Sequence, residues 1–192
     1  MQNDDFYSKV KDIVLFESST GDKVSIPDYL ERNKDKNTDK VLYCADKDAQ
    51  ATYVTMCKEQ GVEVLFLHSM IDTHFIQFLE SKDSKIKYVA IDSELSEILV
   101  DDNKDTQVVD QDNKTVNDKL VEIFKKSLDN EKLKIEIKSL KSESVSGMVL
   151  EAEYVKRMKT MSHFMGGQDS GFALEDLTLV VNSNNPMVKD IK

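Results

Sequence analysis

The side chains able to do covalent or metal chemistry are few and scattered. The histidines His68, His74 and His163 are far apart and lack the i, i+4 spacing that sets two imidazoles around one metal on a helix. His68 ends an apolar run and reads as a hydrogen-bonded loop residue rather than a general base. Ser18, Ser69 and Ser162 have no nucleophile-elbow context. Cys44 and Cys57 sit inside periodic apolar segments without metal-ligand spacing, so reduced core thiols in a reducing compartment are expected. Asp101, Asn103 and Asp105 echo the opening of a calcium loop, but Thr106 replaces the required glycine and Asp112 the closing glutamate. A solvated acidic linker is expected there instead. Asn113-Lys114-Thr115 fits a glycosylation sequon, which without a secretory signal is chance. We expect no metal site, no catalytic residue and no enzymatic activity from this chain.

Binding chemistry is more visible. In Glu153–Gly167, EYVKRMKTMSHFMGG, Tyr154, Met158, Met161 and Met165 fall at intervals of four, three and four along one helical face. Lys156, Arg157, Lys159 and His163 lie mainly on the other side, where they would keep the helix soluble, and Gly166-Gly167 is a natural stop. Tyr154 is expected to anchor the helix base. Methionine specifies packing poorly and adapts to irregular partners, so the stripe reads either as core or as an apolar surface for variable partners.

The elements that position these residues follow from composition and period. With 192 residues, one large domain or two small ones is the prior, and 40% hydrophobic residues suffice for a core. A net charge of −10 argues against nucleic acid or an anionic membrane as the main partner. No apolar run approaches the roughly 20 residues that span a bilayer, and no signal peptide opens the chain, so a cytoplasmic location is expected.

The run Ile13-Val14-Leu15-Phe16 predicts a strand or a buried helix end. Ser25-Ile-Pro-Asp28 predicts a capped helix through Leu30 that stops in the loop 33–39. Three buried strands are predicted at 41–45, 62–67 and 88–91. Asp46 is expected to cap a helix with apolar face Ala49, Tyr53, Met56 and Cys57, ended by Gly61. Ser69 and Asp72 form a capping box for a helix striped by Ile71, Phe75, Phe78 and Leu79, and Ser93 begins a short helix through Leu95, Ile98 and Leu99. This alternation predicts an α/β fold: a small three-stranded parallel unit with helices on both faces. Ligands of such units bind at carboxyl strand ends, here Asp46, Ser69 and Asp92, but no phosphate-cradling motif follows any strand. Helix capping explains those residues better.

After the acidic break at 101–113, the rhythm becomes α+β. Val116, Leu120, Ile123 and Phe124 predict a helix, Leu133, Ile135 and Ile137 a strand with one wet face, and 147–150 and 177–181 two further strands. Asn185-Pro186 opens a helix carrying Met187, Val188 and Ile191, and the sequence stops about two turns later. Continuation of the parent protein downstream is therefore expected.

Several stretches resemble one family. They are Val24-Ser-Ile-Pro-Asp-Tyr-Leu-Glu-Arg32, Gly61-Val-Glu-Val-Leu-Phe-Leu67 with Ile71-Asp72, Arg157-Met158, and Leu179-Val-Val-Asn182 through Asn185-Pro-Met-Val-Lys189. In this order, over nearly the whole chain, they resemble the ninety-kilodalton heat-shock chaperones, in particular their bacterial branch. The resemblance implies that residues 1–100 match the end of the middle segment and 114–192 a C-terminal domain, joined by the linker 101–113. It implies an ATP-binding domain upstream and dimerising helices just after Lys192. This fragment would then carry no cofactor and be monomeric or weakly associated, while the parent would use ATP and magnesium as a homodimer. Tyr154, Met158, Met161, Phe164 and Met165 match the family's client-binding helix, and His74 and Phe75 mark a second client contact. The expected function is that of a chaperone fragment that binds unfolded or partly folded proteins. The alternative is a small-ligand or catalytic domain using the strand ends within 41–92.

Overall fold

The capping residues set the frame. Ser25 accepts the Asp28 N–H with Pro27 in the first turn, and Ser69 and Asp72 form a reciprocal capping box, each as predicted. The computed structural model describes residues 4–93, 99–101, 115–128, 133–164 and 177–191, and the side chains of these except Met70 and 159–164. The chain forms two compact units, Met1–Ile91 and Asp92–Lys192.

The first unit runs α1 (Asp4–Val10), β1 (Phe16–Ser18), β2 (Lys23–Val24), α2 (Ile26–Asn33), β3 (Lys40–Cys44), α3 (Ala51–Glu59), β4 (Leu65–Phe66), α4 (Met70–Lys82) and β5 (Lys87–Ala90). Its sheet is not the three-stranded parallel one predicted but five-stranded and mixed, in the order β2-β1-β4-β3-β5. β3 pairs in parallel with β4 and β5, as the βα alternation requires. The addition is an antiparallel hairpin: β1 pairs with β2 (Phe16 opposite Val24) and with β4 (Ser18 opposite Leu65). The apolar run at 13–16 misled because Ile13 and Leu15 are exposed and only its last residue, Phe16, is buried in the sheet.

Tyr29, Val41, Tyr43, Leu65, Ile76 and Phe78 belong to one buried cluster, each contributing about 1.5–3 kcal/mol of burial. Tyr29 is fully buried and its hydroxyl donates to the Glu63 carbonyl (2.8 Å) and accepts from the Leu42 N–H (3.1 Å). Asp46 does not cap α3. Its carboxylate accepts the N–H groups of Asp48 and Ala49 in a turn one step earlier, and Gln50 at the helix N-cap gives no side-chain cap. Gly61 follows α3 with φ of 64°, a conformation that costs glycine nothing.

Cys44 and Cys57 are both buried, and burial pushes the Cys57 thiol up to about 11. A thiol-specific aromatic disulfide at pH 8 is therefore expected to label both cysteines only as denaturant opens this unit. A fast, stoichiometric reaction in native buffer would contradict the burial.

The second unit runs α5 (Val116–Leu128), β6 (Lys134–Lys138), β7 (Gly147–Glu151), α6 (Glu153–Phe164), β8 (Leu177–Asn182) and α7 (Pro186–Lys189). Its sheet has the order β6-β8-β7, with β8 parallel to β6 and antiparallel to β7. Leu120, Ile135, Ile137, Val181 and Val188 form its core under α5 and α7. Thr115 and Asp118 make a capping box at α5 that the sequence reading had missed. Gly147 is required by close approach, since a Cβ there would lie 2.9 Å from the Val180 carbonyl oxygen.

Val100 bridges to Leu140, and the Asp101 N–H donates to the Ser139 carbonyl (2.8 Å), so residues 99–101 pair with this unit. The predicted short helix at 93–99, apart from its buried last residue Leu99, and the linker at 101–113 lie outside the described residues but for Ser93 and Asp101. No described helix is long and apolar enough to cross a membrane.

An asparagine cluster closes the unit. Asn182 is fully buried; its carbonyl oxygen accepts from the N–H of Leu140 (2.9 Å) and of Asn184 (3.0 Å). Its amide donates to the carbonyls of Ser142 (2.8 Å) and Val145 (2.7 Å). Asn184 and Asn185 donate to the carbonyls of Leu140 and Glu143, and Asn185 caps α7 through the Met187 N–H. The 139–146 loop is thus held by these side chains together with the backbone bonds of Ser139–Lys141 to residues 99–101 and of Ser146 to Asn182.

Candidate functional site

The helix α6 begins directly after β7, with Ala152 between them, and its first turn sorts residues by face. Val155 is fully buried, while Tyr154 and Met158, four residues apart, are 60% and 54% exposed. Tyr154 is therefore not the anchor that was expected; Val155 is.

The basic residues also differ from expectation. Lys156 is not a free solubilising charge. Its ammonium lies 2.6 Å from the Asp92 carboxylate and 3.7 Å from that of Glu151, and all three side chains are mostly covered. Arg157 pairs with Glu153 one turn back at 2.8 Å. Charges held this way stiffen the start of the helix, leaving its apolar pair as the exposed feature. Met161 and Phe164 fall within α6, and their side chains, with those of Lys159 and His163, lie outside the described residues, as do Met165 and Gly166-Gly167.

The second expected contact lies on α4. Phe75 turns inward rather than outward: its ring stacks on Phe16 at 6.4 Å and tilts against Phe78 at 6.2 Å. His74 is half-buried. Ile71, read from the sequence as core stripe, is 69% exposed one turn before it. Among the described side chains of this helix, the exposed large apolar one is thus Ile71, one turn before His74.

The strand-end residues do structural work. Asp46 and Ser69 are committed to backbone N–H groups and Asp92 to Lys156, which leaves the ligand-domain alternative without geometric support. Near those ends Glu17 receives Lys47 at 2.7 Å and His68 at 2.9 Å, and Lys47 sits 4.1 Å above the Phe66 ring. The Lys47 ammonium, and His68 after it, hold the Glu17 carboxyl below its usual range. This cluster is exposed and bridges β1 to the segments after β3 and β4.

One buried charge escaped the sequence reading. Glu63 accepts from Ser18 Oγ, Thr20 Oγ1 (3.3 Å), Arg32 Nη1 (3.3 Å) and Asn33 Nδ2 (3.4 Å), beside a cavity of about 300 Å³. A carboxylate inside the apolar run Val62–Leu67 was the available signal, because such a residue is almost never buried unpaired. Its partners join the β1–β2 turn to α2. Among the described residues, no group of three or more His, Cys, Asp or Glu is placed to hold a metal.

Comparison with known proteins adds the identity. Residues 1–192 match the protein family described as Hsp90 protein. The chaperone protein htpG of Bacteroides fragilis (strain 638R) is 27% identical over all of this chain, and that of Porphyromonas gingivalis (strain ATCC 33277) 26%. HtpG of Shouchella clausii (strain KSM-K16) is 27% identical over 95% of the chain. In each case the match covers 29% of the relative, so this chain spans less than a third of the length of the curated relatives it matches. With the family match running from the first residue to the last, the chain belongs to the Hsp90 family.

Proposed function

We propose that this chain supplies the client-contacting part of an ATP-dependent chaperone and has no ATPase activity of its own. In this reading residues 1–100 are the end of the middle segment and 114–192 the C-terminal domain. ATP and magnesium act in the parent protein, which is a cytoplasmic homodimer. Unfolded or partly folded proteins meet the exposed Tyr154 and Met158 of α6, joined by Met161, Phe164 and Met165 as the sequence resemblance implies, with Ile71 and His74 on α4 as a second contact.

The observation that carries the reading is the exposed pair Tyr154 and Met158 on a helix whose other side is pinned by Val155 and Lys156. A tyrosine and a methionine displayed one turn apart offer apolar area with adaptable shape, as binding to varied sequences demands. Family membership makes a protein partner the natural occupant.

The test is the double variant Tyr154→Ala with Met158→Ala. Exposed residues rebury little area, so the denaturant midpoint should move by no more than about 0.5 kcal/mol equivalent. Capture of fluorescein-labelled, reduced and carboxymethylated α-lactalbumin should weaken at least about fivefold, since anchor side chains typically cost 1 kcal/mol or more. Unchanged capture would refute the client surface.

A further inference from the structure

We propose that Lys156 is the positioning residue of the client helix, holding α6 so that Tyr154 and Met158 face outward; the inference rests on the client reading above. Successive helix residues are about 100° apart, so Tyr154 and Met158 each lie about 200° from Lys156 in opposite senses. The midpoint of the apolar pair is thus directly opposite the lysine. Whatever fixes the direction of Lys156 fixes the direction in which the pair is presented.

Asp92 does that fixing at two successive places. Its carbonyl oxygen accepts the Glu151 N–H (3.0 Å), which ties down the last residue of β7. Its carboxylate takes the Lys156 ammonium at 2.6 Å, while Glu151 supplies a second carboxylate at 3.7 Å. The one-residue joint at Ala152 is therefore clamped on both sides by a single residue, and Ala152 itself accepts the N–H groups of Val155 and Lys156. Side-chain exposures of 21% for Lys156 and 15% for Asp92 place the pair where Coulombic attraction is screened far less than on an open surface. Val155, fully buried, turns one face of the helix inward, and the charged pair beside it adds a directional tie to that packing.

The 192-residue chain and the same labelled, carboxymethylated α-lactalbumin provide the test. Lys156→Gln is expected to weaken capture about fivefold, within the range that coupled neighbouring residues show. Lys156→Arg, which keeps the charge, should restore capture to within about twofold of the parent chain. Met158→Ala should then cost little in the Lys156→Gln background, because the side chain is already misdirected. Asp92→Asn is the second disrupting variant; it keeps the backbone bond to Glu151 and should reproduce the loss if Lys156→Gln proves poorly folded by circular dichroism.

Losses that simply multiply, with Met158→Ala costing the same in both backgrounds, would mean a stabilising role alone and overturn the proposal. Full capture by Lys156→Gln, while Tyr154→Ala with Met158→Ala still fails, would overturn it and leave the client surface standing. Full capture by every variant would overturn both.

Discussion

Asn182→Ala is expected to destabilise the second unit severely. The side chain is fully buried and makes four bonds, to Leu140 and Asn184 through its oxygen and to Ser142 and Val145 through its nitrogen. Truncation leaves two N–H and two C=O groups without that partner. Each buried polar group stranded in this way costs about 1–3 kcal/mol, so a loss of at least roughly 4 kcal/mol is expected even with partial hydration. That is a large share of the 5–15 kcal/mol margin typical of a domain. Chemical denaturation followed by near-ultraviolet circular dichroism would read it.

Asn182→Asp separates shape from hydrogen bonding. The carboxylate keeps the acceptor but faces two carbonyls with negative charge, so its folded pKa should rise above the unfolded value near 3.9. Stability would then be greatest below that pH and fall as pH rises through the folded pKa. A variant as stable at pH 7 as the parent chain would show that the 139–146 loop does not depend on this amide.

The second large effect is expected at Glu63. Its side chain is buried and ties Ser18 at the end of β1 and Thr20 of the β1–β2 turn to Arg32 and Asn33 of α2. Removing one partner of a buried pair costs about 3–5 kcal/mol, but Arg32 is nearly half exposed and lies 3.9 Å from Asp22, so the penalty is discounted to roughly 2–3 kcal/mol. The expected result of Glu63→Ala is a lower midpoint together with loss of amide protection in β1 and β2, while β3 keeps its protection. Uniform loss across the sheet, or none, would contradict this assignment of the carboxylate.

Much of the fold was legible because its signals are local. Ser25, Ser69 and Asp72 announce helix starts within four residues, and the runs at 41–45 and 88–91 are long enough to read as buried strands. The hairpin was not legible. Strands of three and two residues carry no period, and Ile13 and Leu15 drew attention to the wrong residues.

In the candidate site, the spacing of Tyr154 and Met158 showed one face, but not that Lys156 would meet Asp92, sixty-four residues earlier. Ile71 failed for a related reason: it shares the stripe of Phe78 two turns on, yet the stripe runs past the end of the core. Periodicity gives a direction around a helix axis and says nothing about how far along it the neighbours extend.

The hairpin has a consequence for a protein that meets unfolded chains. An exposed strand edge is a template on which a foreign segment can add and grow. Here the first sheet ends on one side in β2, two residues long with Lys23 pointing out, and on the other in β5, four residues long and opening with exposed Lys87. The Tyr88 N–H is turned to the Glu80 carboxylate at 3.5 Å instead of being offered to a newcomer. Neither border is long enough to seed a growing stack, so a disordered chain can touch this unit through side chains without being drawn into its sheet.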